Sequence, residues 1–240
     1  MKIALLGYGK MGRAIEQVAI ERGHSIVARI SIENLEDKTA KNLKNADVVI
    51  EFTGPDSAFE NIQLCIDAGV PVVSGSTGWL DKYGQAAKYC LEKNGGFLYA
   101  SNFSVGVNIF FALNKKLGEL MRGHDDYNIE LKEIHHTEKK DAPSGTAITL
   151  AEQVIEETGH KKRWVNRPST NPDELVILSE RTDPAPGTHT VSYISEIDDI
   201  SITHTAHNRQ GFATGAVLAA EFLQTSPHGV YNMKDVLGID

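Results

Sequence analysis

The chain has 240 residues, 41% of them hydrophobic and 23% charged, with a formal net charge of −8, a composition that fits one globular domain or two small ones. The acidic balance, with no basic block, argues against nucleic acid as the main partner, and no apolar run approaches the ~20 residues needed to span a bilayer. The short apolar stretch at the N-terminus runs straight into glycines and not into a secretory cleavage site, so a cytoplasmic protein without membrane association is expected.

In chain order, residues 2–6 read as a short buried strand and 11–22 as a helix through Ile15, Val18 and Ala19. Strands are predicted at 25–30 and 47–52, a helix at 56–68 between the turn Gly54-Pro55 and Gly69, a strand at 70–74, a helix at 80–93 and a strand at 97–100. Short apolar strands alternating with helices predict an α/β domain with a Rossmann-type parallel sheet. The pattern then changes. A helix is predicted over 104–121, with an apolar stripe of Val107, Phe110, Phe111, Leu113, Leu117 and Leu120. Longer alternating strands follow at 127–136, 175–180, 188–196 and 200–206, interrupted by a helix at 144–157 and a polar loop at 161–174. This predicts a second domain of α+β type with a mixed or antiparallel sheet. A last helix, 211–223, is expected to pack back on the first domain. The resulting segments are 1–103, 104–208 and 209–240. Cys65 and Cys90 fall in predicted helices without CxxC spacing and read as buried thiols.

Between the first strand and first helix stands Gly7-Tyr8-Gly9-Lys10-Met11-Gly12, a GxGxxG string. The first glycine permits a tight turn, the second admits a pyrophosphate, and the third lets the helix lie close to the strand. The unpaired N–H groups and the dipole of the helix start then favour the phosphates. Gly7, Gly9, Lys10, Met11 and Gly12 are therefore candidate cofactor contacts. The second strand ends Val27-Ala28-Arg29-Ile30-Ser31, with no acid before Glu33. Arg29 in place of a ribose-binding acid favours NADPH over NADH. Gly75-Ser76-Thr77-Gly78 and Ala100-Ser101-Asn102-Phe103 lie at the C-terminal ends of predicted strands, where open α/β sheets bind ligands, and small residues there let a nicotinamide approach.

The most informative segment is Glu133-Ile134-His135-His136-Thr137-Glu138-Lys139-Lys140-Asp141-Ala142-Pro143-Ser144-Gly145-Thr146. Adjacent histidines at a strand end point to opposite faces, so they have different jobs. Ser144 reads as a helix N-cap, leaving Gly145 and Thr146 to offer backbone N–H groups to an anion beside the cation Lys139. This spacing points to an anionic substrate and His/Lys acid–base chemistry. A metal reading would need His135, His136, His204 and His207 to cluster, but neither pair has a carboxylate or cysteine at standard ligand spacing, and no metal is expected.

The string His135-His136-x-x-Lys139-x-Asp141-Ala142-Pro143-Ser144-Gly145-Thr146-Ala147 resembles the signature of the 4-hydroxy-tetrahydrodipicolinate (dihydrodipicolinate) reductases. The resemblance extends to the N-terminal glycine loop, Gly75–Gly78, Asn102-Phe103-Ser104-Val105-Gly106-Val107-Asn108, and Thr203-His204-x-Ala206-x-x-Arg209-x-x-Phe212-Ala213-x-Gly215-Ala216. It implies a dinucleotide-binding domain over 1–103, a substrate-binding and oligomerisation domain over 104–208, a C-terminal segment over 209–240 returning to the first domain, hinges and a homotetramer. It further implies that Gly75, Ser76, Thr77, Ala100, Ser101, Asn102 and Phe103 frame the nicotinamide. His135 would be the acid–base residue and Lys139 the proton donor, while His136, Gly145 and Thr146 would bind a small dicarboxylate. Two departures are visible: a brief 31–45 connection, and the missing acid after the second strand. Arg209 is read as stabilising the site or an interface. Two other readings compete. A semialdehyde dehydrogenase would need a nucleophilic cysteine, and a nicotinamide-binding sensor would not need Lys139.

Overall fold

The computed structural model describes residues 1–208 and 210–239 and divides into two compact units, residues 1–105 with 210–240 and residues 106–209. The first unit contains a six-stranded parallel sheet. Its strands are β1 (Lys2–Leu6), β2 (Ser25–Ile30), β3 (Val48–Glu51), β4 (Val72–Ser74), β5 (Gly96–Tyr99) and, late in the chain, β11 (Gly229–Tyr231), in the order β11-β5-β4-β3-β1-β2. Helices cover both faces, so the central strands β1, β3, β4 and β5 are buried on both sides and read as apolar runs, whereas the edge strands β2 and β11 are only partly buried. Ile3 and Leu5 of β1 face a core with Ile15, Val18 and Ala19 of α1 (Lys10–Glu21) and with Ala213, Ala216, Val217 and Ala220 of α7 (Gln210–Thr225). Ala4 and Leu6 face the other core, with Ile62 and Cys65 of α3 (Pro55–Asp67) and Ala86 and Cys90 of α4 (Tyr83–Glu92). Chain order reverses direction at β1, with β2 on one side and β3 on the other, so the crevice lies beyond the C-terminal ends of β1 and β3.

The second unit carries a five-stranded mixed sheet, ordered β10-β9-β6-β8-β7. It comprises β6 (Asn128–His135), β7 (Arg163–Val165), β8 (Glu174–Arg181), β9 (Gly187–Ile194) and β10 (Asp199–Ala206). β6 runs antiparallel to β9 and parallel to β8. One face is covered by α6 (Gly145–Thr158), through Ala147, Leu150, Ala151 and Val154, and by Phe110 and Met121 of α5 (Val105–Met121). Ser144 caps α6, its Oγ accepting from Ala147 N at 3.2 Å, and Gly159 closes the helix in the left-handed conformation.

Several short elements differ from the sequence expectation. The 161–174 loop contains β7, whose three residues pair with β8 and are too few to show an alternation. After α7 come β11, which adds an edge to the first sheet, and α8 (Met233–Leu237), which starts with an Asn232/Asp235 capping box. The polar 31–45 connection holds α2 (Ala40–Leu43), capped by Thr39. In the α5 stripe, Val107 and Phe110 are buried, whereas Leu113 and Leu120 are exposed in this chain. Arg209 lies outside the described residues.

Candidate active site

The glycine loop of the first unit is built by close approach. Gly7 has φ +94°, and a Cβ there would lie 2.0 Å from the carbonyl oxygen of Phe52. A Cβ on Gly12 would lie 2.4 Å from the Gly7 carbonyl oxygen, so both positions exclude any side chain. Gly9 opens instead onto free space. Gly9 also caps α1 without a side-chain hydrogen bond, and no acid stands in the first turn, which leaves the N–H groups to an anion. Gly7, Gly9, Lys10, Met11, Gly12, Gly75, Ser76 and Thr77 come together around one cavity of about 380 Å³. An adjoining cavity of about 590 Å³ is bounded by Gly7, Tyr8, Arg13, Ser31, Glu33 and Lys38, among others. A cradle that admits backbone but no Cβ, next to open space at a helix start, fits a dinucleotide pyrophosphate.

Arg29 does not line either cavity. Its guanidinium pairs with Glu16 of α1, which also accepts from Tyr8 Oη. The Arg29 hydrogen bond holds the Glu16 carboxyl below its ordinary range. The cations that do line the larger cavity are Arg13, whose guanidinium stacks 5.4 Å from the Tyr8 ring centre, and Lys38. Residues 100–103 follow β5 and are likewise not among the lining of these cavities. Ala100 N donates to Ser74 O, and Phe103 is buried against Phe52.

Behind these loops lies Glu51, fully buried at the end of β3. Its carboxylate accepts from Ser74 Oγ at 2.6 Å, Ser76 Oγ at 2.8 Å, Thr53 N at 3.0 Å and Thr53 Oγ1. It therefore ties the loop after β3 to the loop after β4. Asn61 Nδ2 donates to Thr53 Oγ1 at 3.1 Å, and Lys38 Nζ donates to Asn61 Oδ1 at 3.0 Å, which links this network to the larger cavity. Thr53, Lys38 and Arg13 were not singled out from the sequence. Glu51 was read only as part of the strand DVVIEF, where a charged end residue was the one available signal.

In the second unit, three strands change character at one level. Along the face under α6, β6 presents Ile129 and Leu131, then Glu133 and His135. β8 presents Leu175 and Ile177, then Ser179 and Arg181, while β9, running the other way, presents Tyr193 and Val191, then His189. The register sets Leu131 beside Ile177 and Val191, and Glu133 beside Ser179 and His189; His204 of β10 pairs with His189. The apolar rungs pack beneath α6, and the polar rung lies beneath its first turn.

At the centre of that rung is Glu133, fully buried. Ser144 N, next to the start of α6, donates to both carboxylate oxygens at 3.1 Å. Ser179 Oγ donates at 2.7 Å and Arg181 Nη2 at 3.3 Å. His135 Nδ1 lies 3.3 Å from Oε2 and His189 Nε2 lies 3.7 Å from it. Burial pushes the Glu133 carboxyl up, but the neighbouring His135 ring and the hydrogen bonds of Ser144 and Ser179 outweigh it and hold the group well below the carboxylate range. Burial, helped by His135, pushes His189 down to about 4, so its ring is neutral near pH 7. The two rings meet edge to face at 5.1 Å, and Ser144 Oγ lies 3.1 Å from His189 Nε2.

Lys139 Nζ lies 2.9 Å from Asp141 Oδ1, and Arg181 reaches the Asp141 carbonyl at 2.6 Å and the Lys139 carbonyl at 3.4 Å. His136 is half-buried, and Gly145 is exposed with open space where its Cβ would stand. His135 and the start of α6 thus stand at one buried carboxylate, and Arg181 ties the turn that carries Lys139 to it. Glu133, His135 and His189 could together reach a cation, their ligand atoms lying within 4.8 Å of one another. The Glu133 oxygens, however, already accept from Ser144, Ser179 and the cationic Arg181, a donor set that fits an ion pair and not a metal. Cys65 and Cys90 are buried and free; burial pushes the Cys90 thiol up to about 11 and Cys65 higher, so neither supplies a nucleophilic thiolate.

The parallel sheet, its switch-point crevice and the glycine cradle define a dinucleotide-binding domain of the kind that nicotinamide-dependent oxidoreductases carry. The chain belongs to the dihydrodipicolinate reductase family: the family's N-terminal model matches residues 1–103 and its C-terminal model residues 106–237. It is 49% identical over 237 residues to the 4-hydroxy-tetrahydrodipicolinate reductase of Christiangramia forsetii, covering 99% of this chain and 98% of that one. It is 37% identical over 199 residues to the Methanopyrus kandleri enzyme of the same name, covering 81% and 72%. Its fold is similar to that of the dipicolinate-bound dihydrodipicolinate reductase of Paenisporosarcina sp. TG-14, with a TM-score of 0.77 at 24% identity over 98% of both chains.

Proposed function

We propose that this protein reduces 4-hydroxy-tetrahydrodipicolinate to tetrahydrodipicolinate, with loss of water, in diaminopimelate and lysine biosynthesis. The observation that carries this reading is the convergence of His135, Lys139 and the α6 N-terminus on one polar rung, in a chain whose other unit carries the glycine cradle. Gly7, Gly9, Lys10, Met11 and Gly12 would hold the pyrophosphate, and Gly75, Ser76 and Thr77 would frame the nicotinamide, with residues 100–103 joining them on the strength of the family resemblance alone. A bound reduced nicotinamide supplies the hydride. In the second unit, the Gly145 and Thr146 N–H groups and the helix dipole take one substrate carboxylate, and His136 takes part in binding the dianion. Lys139 releases a proton from Nζ as negative charge develops, and His135 acts as the acid–base partner.

Both reduced nicotinamides are read as substrates. The pairing of Arg29 with Glu16 removes the argument for NADPH that rested on Arg29. The larger cavity offers instead Arg13 and Lys38, which suit a 2′-phosphate, together with Glu33, which suits a ribose hydroxyl. A homotetramer in the cytoplasm is the assembly the family resemblance implies; no helix among the described residues is long and apolar enough to cross a membrane.

The test is nicotinamide oxidation with substrate generated in situ from pyruvate and aspartate semialdehyde by the preceding synthase. Lys139→Ala is expected to lower kcat by about 10²–10⁴-fold with cofactor affinity retained. Unchanged turnover in that variant would remove Lys139 from the chemistry, and folded wild-type protein that binds cofactor without turning over would overturn the assignment.

A further inference from the structure

We propose that Glu133, tied to Arg181, is the positioning residue of the active site, holding His135, the Lys139–Asp141 turn and the substrate-binding start of α6 in one arrangement. The inference rests on the functional reading above and assigns a role to a residue that touches neither substrate nor cofactor. Three connections leave the same carboxylate. Ser144 N spans both oxygens at 3.1 Å, which fixes where Gly145 and Thr146 begin. His135 Nδ1 stands 3.3 Å from Oε2, which favours a proton on Nδ1 and turns the ring's other nitrogen, Nε2, outward from Glu133. Arg181 bridges from Oε1 to the Asp141 carbonyl, pinning the turn that carries Lys139.

The surroundings leave His135 little freedom. A Cβ at position 187 would lie 3.1 Å from its Nε2, and the neutral His189 ring packs edge to face against it at 5.1 Å. The charged and titratable groups around His135 are Glu133 on its own strand, Arg181 on β8, His189 on β9 with His204 beyond it on β10, and Lys139 and Asp141 in the following turn. Of these, Glu133 and Arg181 act with opposite signs on a proton at His135. The anion holds the proton, while Arg181 weakens the anion.

Rescue by charge is a readout that a merely space-filling role does not reproduce, because Gln keeps the shape of Glu133 and Asp keeps its charge. Cofactor affinity, kcat and affinity for pyridine-2,6-dicarboxylate are compared for the wild type, Glu133→Gln, Glu133→Asp and Arg181→Met. Glu133→Asp is expected to retain more activity and more dicarboxylate affinity than Glu133→Gln. Glu133→Gln and Arg181→Met are each expected to lose about 10²-fold in kcat, with NADH affinity unchanged. They are also expected to bind pyridine-2,6-dicarboxylate more weakly. A Glu133→Gln variant at least as active as Glu133→Asp would overturn the proposal. So would wild-type affinity for the dicarboxylate in both. The dicarboxylate affinity needs no turnover, so it decides the proposal even if the wild type proved inactive on the expected substrate, a result that would defeat the functional reading alone.

Discussion

Arg29, Arg13 and Lys38 separate charge that is already satisfied from charge that faces the cofactor cavity. Because Glu16 neutralises Arg29, Arg29→Ala is expected to leave the NADPH/NADH ratio of kcat/KM within about twofold, an exposed ion pair being worth little. Lys38→Ala, which opens the larger cavity, is expected to raise KM for NADPH several-fold more than KM for NADH. Steady-state kinetics with both cofactors check this, and an Arg29→Ala variant that loses NADPH selectively would restore the expectation drawn from the sequence. Strings such as Gly7–Gly12 and His135–Thr146 were legible because their chemistry is contiguous in the chain. The pairing of Arg29 was not legible because its partner Glu16 lies one helix away, and a sequence does not announce which cation is already paired.

On the scale of elements, the polar rung explains why α6 starts where it does. Ser144 caps the helix with its hydroxyl and anchors it with its own N–H on Glu133, so Ser144→Ala keeps the anchor but loses the cap and the buried hydrogen bond to His189, about 2 kcal/mol of stability, measurable by denaturant unfolding. Glu133→Ala leaves Arg181 and the Ser144 N–H without their buried partner, for which about 3–5 kcal/mol is expected. Stability should also depend on pH in a defined window. The fold favours neutral His189, so its contribution is full above 6.5 and is lost as the pH falls toward about 4; that of the Glu133 carboxylate is lost on falling further below 4.5. The thermal midpoint is therefore expected to decline from pH 6.5 downward, and His189→Gln to flatten the upper part of that decline in calorimetry. A wild-type midpoint that is flat from pH 6.5 to 4 would contradict this. None of the rung was visible as a unit in the sequence. Glu133, Ser179, His189 and His204 stand on four strands, and which residues face one another is set by pairing register, a long-range property. The alternation in each strand was legible, as was the resulting mixed sheet; β7 and β11, at three residues each, were too short to carry a period.

For the whole molecule, the proposed reaction assigns separate work to the two compact units: the first is expected to hold the hydride donor, and the second the dicarboxylate and the proton. The glycine cradle is expected to be the first unit's essential feature. Gly12→Val, placing a branched side chain where even a Cβ would lie 2.4 Å from a carbonyl oxygen, should abolish NADH binding while leaving pyridine-2,6-dicarboxylate binding measurable by calorimetry. The central claim is reduction that couples the two. It is tested most directly by following nicotinamide absorbance while the synthase supplies substrate to wild type and Lys139→Ala side by side. The account predicts substrate-dependent oxidation in the wild type and its collapse in the variant, with equal cofactor affinity in both. Equal oxidation rates in the two proteins, or none in a wild type that binds cofactor and dicarboxylate, would contradict it.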